Sequence, residues 1–554
     1  MSLLAGALRL PHAVCAVLAA RGLTDVEDAK RFLRPRLEHL HDPDTLADGP
    51  PAADRIVTAI RRGEKILVHG DYDVDGICAT ALLTRWFRRL GGVVVPFVPH
   101  RLRDGYDFSE AGLTRARSEG VGLIVTADCG TVAHETVDRA RAAGIDVIVT
   151  DHHTVGSELP HAVAVVNPHR PDCPYPDKGL CGTGLAYKVA QLVGRAMDVD
   201  TDELLTYLDL VALATVADLV PLQGENRVLV SFGLKRFARS RVVGIEALLD
   251  VSDVSRSEVT AGQLGYRVGP RINAAGRLGE AADALRLLLT EDREEAGVIA
   301  RKLDDLNRRR REEDERTLEE AIELLSDTYD AERDFGVVLA AEGWHPGVIG
   351  IVASRVVERI HRPVVLIALD GETGRGSARS IPGFHLYEAL VECAGHLGRF
   401  GGHRQAAGMD LARSAVPAFR SAFDHAARSR LLPAQLRPTL RPDCALSLLD
   451  VDLQLVHWME YLGPHGIGNP GPLFLAREVG VDGPRVVGDR HLKARLLEGR
   501  SGLNAIGFGF GERHPPESLG AGPHDALFRL ERNEWRGRVT PQARLVDLRP
   551  SAGP

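Results

Sequence analysis

Four separated clusters of acids and imidazoles could do chemistry in this chain: His69-Gly70-Asp71-Tyr72-Asp73-Val74-Asp75-Gly76, then Asp128, then Asp151-His152-His153, then Asp218. Each follows an apolar run that reads as a strand or a buried helix. Together they offer more donors than one metal ion takes up. Hard divalent cations prefer oxygen ligands, and imidazole admits manganese, iron or zinc. Two such ions close together activate a water and clamp a phosphoryl group. The set points to hydrolysis of a phosphate ester or anhydride. Each member alone has a plainer reading. Asp75 before Gly76-Ile77 also suits a helix N-cap, and a lone Asp at a strand or helix end is most often a cap. The combination carries the signal.

The elements that must position these residues read as α/β. Short β-branched runs stand at 66–68, 93–95, 123–125, 147–149 and 163–166, with helical segments such as 77–90 and 132–143 between most of them. Apolar strands alternating with helices imply a parallel sheet covered on both faces. Asp71, Asp128 and Asp151 each come just after a strand, at the edge where open α/β sheets bind ligands. Residues 182–220 read as two helices, the second ending at Asp218.

The expected domains are a helical lead-in over 1–55, a catalytic domain over 56–298, a connecting helix over 299–326, a second α/β domain over 327–432 and a small β-domain over 433–554. The Arg308–Arg311 run reads as a solvated helix face. Gly269-Pro270-Arg271-Ile272-Asn273-Ala274-Ala275-Gly276-Arg277 and Gly374-Arg375-Gly376-Ser377-Ala378-Arg379-Ser380 suit phosphate, because guanidinium forks match its oxygens; as plain structure, each reads as a tight turn. Residues 485–500 and 529–544 each hold five basic and two acidic residues. With Phe508, Phe510 and Trp535 nearby, they are candidates for a single-strand groove, although core packing explains the phenylalanines more simply.

Bulk properties bound the answer. The 554 residues call for several domains, and 44% hydrophobic with 26% charged residues are globular values. A net charge of -8 argues against a nonspecific nucleic-acid coat protein. The seven cysteines are scattered without a Cys-x-x-Cys pair, which fits a reduced, cytoplasmic protein. No membrane span or secretory signal is expected.

In order, His-Gly-Asp-Tyr-Asp-Val-Asp-Gly (69–76), Thr-Asp-His-His (150–153), Thr-Val-Ala-Asp-Leu-Val-Pro-Leu (215–222), the 269–277 segment, Trp-His-Pro-Gly-Val-Ile-Gly-Ile-Val-Ala-Ser-Arg (344–355) and Gly-Gly-His (401–403) resemble the RecJ family, the single-strand-specific 5′→3′ exonucleases of the DHH phosphoesterase superfamily. The resemblance implies a DHH domain, a DHHA1-like domain and an OB-like β-barrel, acting on single-stranded DNA in repair and recombination with two Mn²⁺ or Mg²⁺ ions. It implies His69, Asp73 and Asp128 around one metal and Asp75, Asp128, His152 and Asp218 around the other. Asp71, His153, Arg271 and Asn273 are implied as catalytic. Arg101, Ser377, Arg379 and His403 are implied to bind substrate. A monomer supplied by a helicase and a single-strand-binding protein is expected. The sequence departs from the family at Asp107, where Gly is favoured, and at Cys129 and Thr131. The rivals are a phosphodiesterase for short oligonucleotides or cyclic dinucleotides, and a replication scaffold without catalysis.

Overall fold

The computed structural model describes residues 2–105, 107–488, 490–519 and 522–551. Tyr106, in the sequence segment that carries Arg101, lies outside them. By its contacts the chain divides into two units. One holds the residues up to Gly269, Ala284–Gly297 and those from Arg441 on; the other holds Pro270–Asp283 and Val298–Leu440.

In the first unit, β1 (Lys65–Gly70), β2 (Val93–Phe97), β3 (Leu123–Ala127), β4 (Asp146–Thr150) and β5 (Ala164–Val166) form one parallel sheet in the order β2-β1-β3-β4-β5. Leu67, Ile124, Val149 and Val165 pack under the helices Glu110–Glu119 and His134–Ala142. The helices Val74–Arg89 and Gly182–Ala196 contact the same strands. Burial on both faces explains why these strands carry no polar alternation. Register aligns the strand ends: Gly70 pairs with Ala127, and Thr150 with Val166. Asp71, Asp128 and Asp151 therefore leave the sheet at one edge.

In the same unit, β11 (Cys444–Ala445), β12 (Phe474–Val487), β13 (His491–Glu498), β14 (Ser501–Gly507), β15 (His524–Trp535) and β16 (Arg538–Pro550) pair in the order β11-β12-β13-β14-β16-β15, and β12 also pairs with β15. That last pairing closes a five-stranded barrel. Its core includes Leu4, Val14, Val17, Leu18 and Ala29, from the helices Ser2–Leu8, His12–Ala20 and Val26–Leu33. The start of the chain thus shares one core with its end.

In the second unit, β6 (Val337–Glu342), β7 (Val364–Asp370), β8 (Thr373–Arg379), β9 (Arg399–Gly402) and β10 (Ala406–Ala412) make a mixed sheet ordered β6-β7-β8-β10-β9. Only β6 and β7 run parallel; the other pairs are antiparallel. The connecting helix runs Arg293–Thr328, longer than expected at its start. The structure corrects two turn readings. Residues 269–277 lie in the helix Gly269–Leu278, where Pro270 suits the first turn and Ile272, Ala274 and Ala275 are buried. Residues 374–379 lie in β8, where glycines fit closely: a side chain on Gly374 or Gly376 would meet Ile367 or Met409 at 2.8 Å.

Candidate metal centre

β1 ends in His69-Gly70, and the chain turns sharply before the helix Val74–Arg89. Gly70 at the end of β1 and Gly76 in the first turn of the helix are both required by space. A Cβ on Gly70 would sit 1.9 Å from Thr80 Oγ1, and one on Gly76 would sit 2.4 Å from the Asp71 nitrogen. Asp73 caps the helix, its carboxylate accepting from the backbone of Asp75 and Gly76 at 3.0 and 3.1 Å. Asp75 points elsewhere. Its carboxylate accepts from the backbone N–H groups of Gly182 and Thr183 at 2.6 and 2.7 Å, the first turn of the helix Gly182–Ala196.

Asp128 follows β3 with φ of 67°. That left-handed conformation is one Asp tolerates better than most residues. Gly182 leaves it room: a Cβ there would meet Asp128 Oδ1 at 2.5 Å. His152 comes from the end of β4, and Asp218 from the end of the helix Leu208–Ala217.

Three sets of ligand atoms converge within 4.8 Å: Asp71, Asp73 and Asp128; Asp75, His152 and Asp218; Asp128, His152 and His153. Asp128 and His152 each belong to two sets. His152 Nε2 lies 3.1 Å from Asp128 Oδ1, 3.6 Å from Asp218 Oδ2 and 3.8 Å from Asp75 Oδ2. Yet neither His152 Nε2 nor Asp128 Oδ1 has a hydrogen-bond partner, and Asp71 Oδ1 and His69 Nε2 are likewise buried without one. Closeness without hydrogen-bond alignment fits ligands aimed at a common point. Burial first, and then neighbouring carboxylates, push Asp71, Asp73, Asp128 and Asp218 above the ordinary carboxylate range. A cation relieves both costs. The donor set of carboxylate oxygens and imidazole nitrogens fits Mn²⁺ or Mg²⁺.

His69 stands outside the three convergent sets. It packs against Phe97 and Phe108, with ring centroids 5.1 and 5.2 Å away, and Cys129 Sγ is 3.7 Å from its Nδ1. A Cβ on Gly112 would strike this ring. Burial drives the His69 imidazole down to about 4, so it is neutral, as a ligand must be.

His153 is held by a group the sequence reading left without a role. Asp151 Oδ1 accepts from His153 Nδ1 at 2.7 Å and from its backbone at 3.1 Å. Asp151 Oδ2 accepts from the Thr131 backbone at 3.0 Å. Asn167, just past β5, donates to Thr131 Oγ1 and to the His153 carbonyl at 3.0 and 2.9 Å. Burial opposes charge on His153, but the Asp151 bond and charge outweigh it and bring the imidazole up to about 9. Asn167 carries no signal of its own in the sequence; only the strand register, which places Val166 beside Thr150, points to it.

The departure at Asp107 is accommodated. Its φ of 77° keeps a backbone that glycine would take, and its carboxylate accepts from the Gly130 backbone at 2.6 Å. Arg101 lies over the Tyr72 ring at 5.1 Å. The remaining expected residues lie in the second unit. Arg271 Nε and Nη2 meet Asp304 Oδ1 at 2.9 and 2.8 Å. Asn273 is on the same helix. Arg379 donates to Ser377 Oγ at 3.1 Å, and a Cβ on Gly350 would crowd both side chains. His403 is exposed after β9, its backbone donating to Ala406 at 2.8 Å.

A parallel sheet whose strand ends carry these acids and an Asp-His-His step is that of the DHH family: the model of that family's N-terminal domain matches residues 65–215. Models of the DHHA1 domain and the RecJ OB domain match residues 334–429 and 442–547. The chain is 36% identical over 546 residues to the single-stranded-DNA-specific exonuclease RecJ of Bacillus subtilis (strain 168), covering 98% of this chain and 68% of that one. To RecJ of Escherichia coli (strain K12) it is 35% identical over 568 residues, covering 98% and 96%. The crystal structure of RecJ in complex with Mn²⁺ from Thermus thermophilus matches with a TM-score of 0.84 at 32% identity, over 99% of this chain and 78% of that one. The chain belongs to the RecJ family.

Proposed function

We propose that this chain is a metal-dependent exonuclease that hydrolyses single-stranded DNA from the 5′ end to 5′-mononucleotides, in DNA repair and recombination. The observation that carries it is the set of buried, unpartnered ligand atoms on Asp71, Asp128, His69 and His152 at one sheet edge. Family membership supports it, as does the Mn²⁺ held by the Thermus relative.

Asp73, Asp75, Asp128, His152 and Asp218, with His69, are the residues that would hold two Mn²⁺ or Mg²⁺ ions. When bound, such ions acidify a water and neutralise charge on the phosphoryl oxygens. The rest falls to the chain. Asp151 turns His153 Nδ1 toward itself, so contact with the scissile phosphate falls to Nε2. A cationic imidazole donates there to a phosphate oxygen. Asp304 fixes the fork of Arg271, which in this reading adds positive charge as the phosphorane-like state develops. Arg101, Ser377 and Arg379 are read as holders of the 5′ phosphate, with His403 contacting the strand. Supply of the strand by a helicase and a single-strand-binding protein belongs to the same reading.

The test uses a 3′-labelled, 5′-phosphorylated single strand beside a blunt duplex, both with Mn²⁺. A descending ladder from the single strand alone is expected. An intact long strand with cleavage of dinucleotides would move the assignment to a small-substrate phosphodiesterase.

A further inference from the structure

Arg227 is a buried cation, 3% exposed, whose four hydrogen bonds all go to carbonyl oxygens. Nε donates to Phe32 at 2.8 Å, Nη1 to Leu462 at 3.2 Å, and Nη2 to Gly463 at 2.6 Å and to Tyr461 at 3.4 Å. Its guanidinium also lies over the Phe32 ring, 3.7 Å from the centroid. Tyr461 ends the helix Leu453–Tyr461, so the guanidinium meets orphan carbonyls at the negative end of a helix. A buried charge without a carboxylate is expensive.

Arg227 holds the start of the turn 463–470. Asn469 closes this turn on itself, donating to the Leu462 and Pro464 carbonyls at 2.8 Å each. The turn rests on the segment that leaves Asp218. The Leu222 backbone donates to the Ile467 carbonyl at 2.8 Å, and Gln223 Nε2 donates to the Gly468 carbonyl at 2.7 Å. The fit is close: a Cβ on Gly466 would meet Leu222 at 2.7 Å, and one on Gly468 would meet Pro221 at 3.0 Å. Between Asp218 and these contacts stands Leu219, at φ of 61°. A non-glycine residue there persists when its surroundings hold it. Arg227 itself sits in the helix Gly224–Arg236, directly after that segment.

We propose that Arg227 is a positioning residue for the metal centre: through the 463–470 turn it fixes the segment following Asp218, and so sets the placement of that carboxylate. The inference rests on the reading of Asp218 as a metal ligand. It also gives the C-terminal region a part in catalysis separate from strand binding.

The test is direct Mn²⁺ binding to the full chain, followed by electron paramagnetic resonance of free Mn²⁺, with circular dichroism to confirm folding. Arg227→Met should weaken one class of site by about tenfold, the lower end of what losing support for a metal ligand costs. Arg227→Lys should recover part of this. Binding of single-stranded DNA without metal should stay within about twofold, since the loss lies in metal placement. Folded Arg227→Met with wild-type Mn²⁺ affinity would overturn the inference. If that variant does not fold, Gln223→Met at the exposed end of the same contact decides: weaker Mn²⁺ binding supports the inference and unchanged binding overturns it. An Asp218→Ala variant binding Mn²⁺ like wild type would instead overturn the site reading beneath it.

Discussion

Asp128 combines a left-handed backbone, full burial and membership of two ligand sets. Such strain costs on the order of 1–3 kcal/mol and is kept where the surroundings enforce it. The negative cluster around it predicts a response to metal. Burial of Asp71, Asp128 and Asp218, and then repulsion from neighbouring carboxylates, chiefly Asp73 and Asp75, disfavour the metal-free fold with these groups ionised. Mn²⁺ at a hundredfold excess over its Kd should stabilise by about 2.7 kcal/mol, read as a rise in Tm that EDTA reverses. His153 depends on Asp151 in a different way. Asp151→Asn should lower kcat by about 10²-fold or more while leaving Mn²⁺ affinity near wild type, because it removes the charge that orients and charges the imidazole. Equal losses in both would make Asp151 a metal-site residue. The acids and histidines were legible because their types alone limit their chemistry. Asn167 was not, since an Asn after a short strand gains meaning only from register.

Elements differed in how openly they announced themselves. The five parallel strands were legible because both faces are buried, leaving β-branched runs without alternation. Glycine-rich segments misled. Residues 269–277 are helical and 374–379 a strand, since glycine there answers to close packing and not to a turn. Phe508 and Phe510 also part company: Phe510 is buried, while Phe508 is exposed beneath the Arg544 guanidinium, 5.3 Å from its ring centroid. The 463–470 turn yields a pH prediction. Burial first, then the charges of Arg21 and Arg227 against the Met459 carbonyl bond, leaves His465 at about 4. The folded state therefore binds its proton less readily than the unfolded chain. The stability from neutral His465 is present above pH ~6.5 and is lost as pH falls toward 4. Urea titrations of metal-free protein should show a shallower loss over that window in His465→Gln than in wild type. Identical slopes would exclude His465 as the source.

At the scale of the whole molecule, the helices of residues 2–33 and the barrel share one core, a pairing across more than four hundred positions that no local pattern reveals. The lead-in expected over 1–55 is thus partly a component of the barrel's packing. Register places Arg495 beside Asn504, Ile506 beside Arg544, and Arg544 beside Arg529, and Arg495, Arg529 and Arg544 are all exposed. With Phe508 at its edge, this is a face of three arginines, one of them (Arg544) paired to Glu531 at 3.3 Å, that offers a stacking ring. Base stacking on an aromatic contributes about 1–3 kcal/mol. Phe508→Ala should therefore raise the Kd for a long single strand by about fivefold or more while leaving dinucleotide hydrolysis unchanged. No change with strand length would favour the small-substrate rival.

The most direct test of the central claim is Asp128→Asn, which keeps the side-chain shape and tolerates the left-handed backbone but removes the charge. Mn²⁺ binding and single-turnover cleavage of a 5′-phosphorylated single strand would be measured together. The account predicts loss of Mn²⁺ from the centre and cleavage reduced to background, with metal-free strand binding retained. A variant that bound Mn²⁺ and cut the strand at the wild-type rate would contradict it.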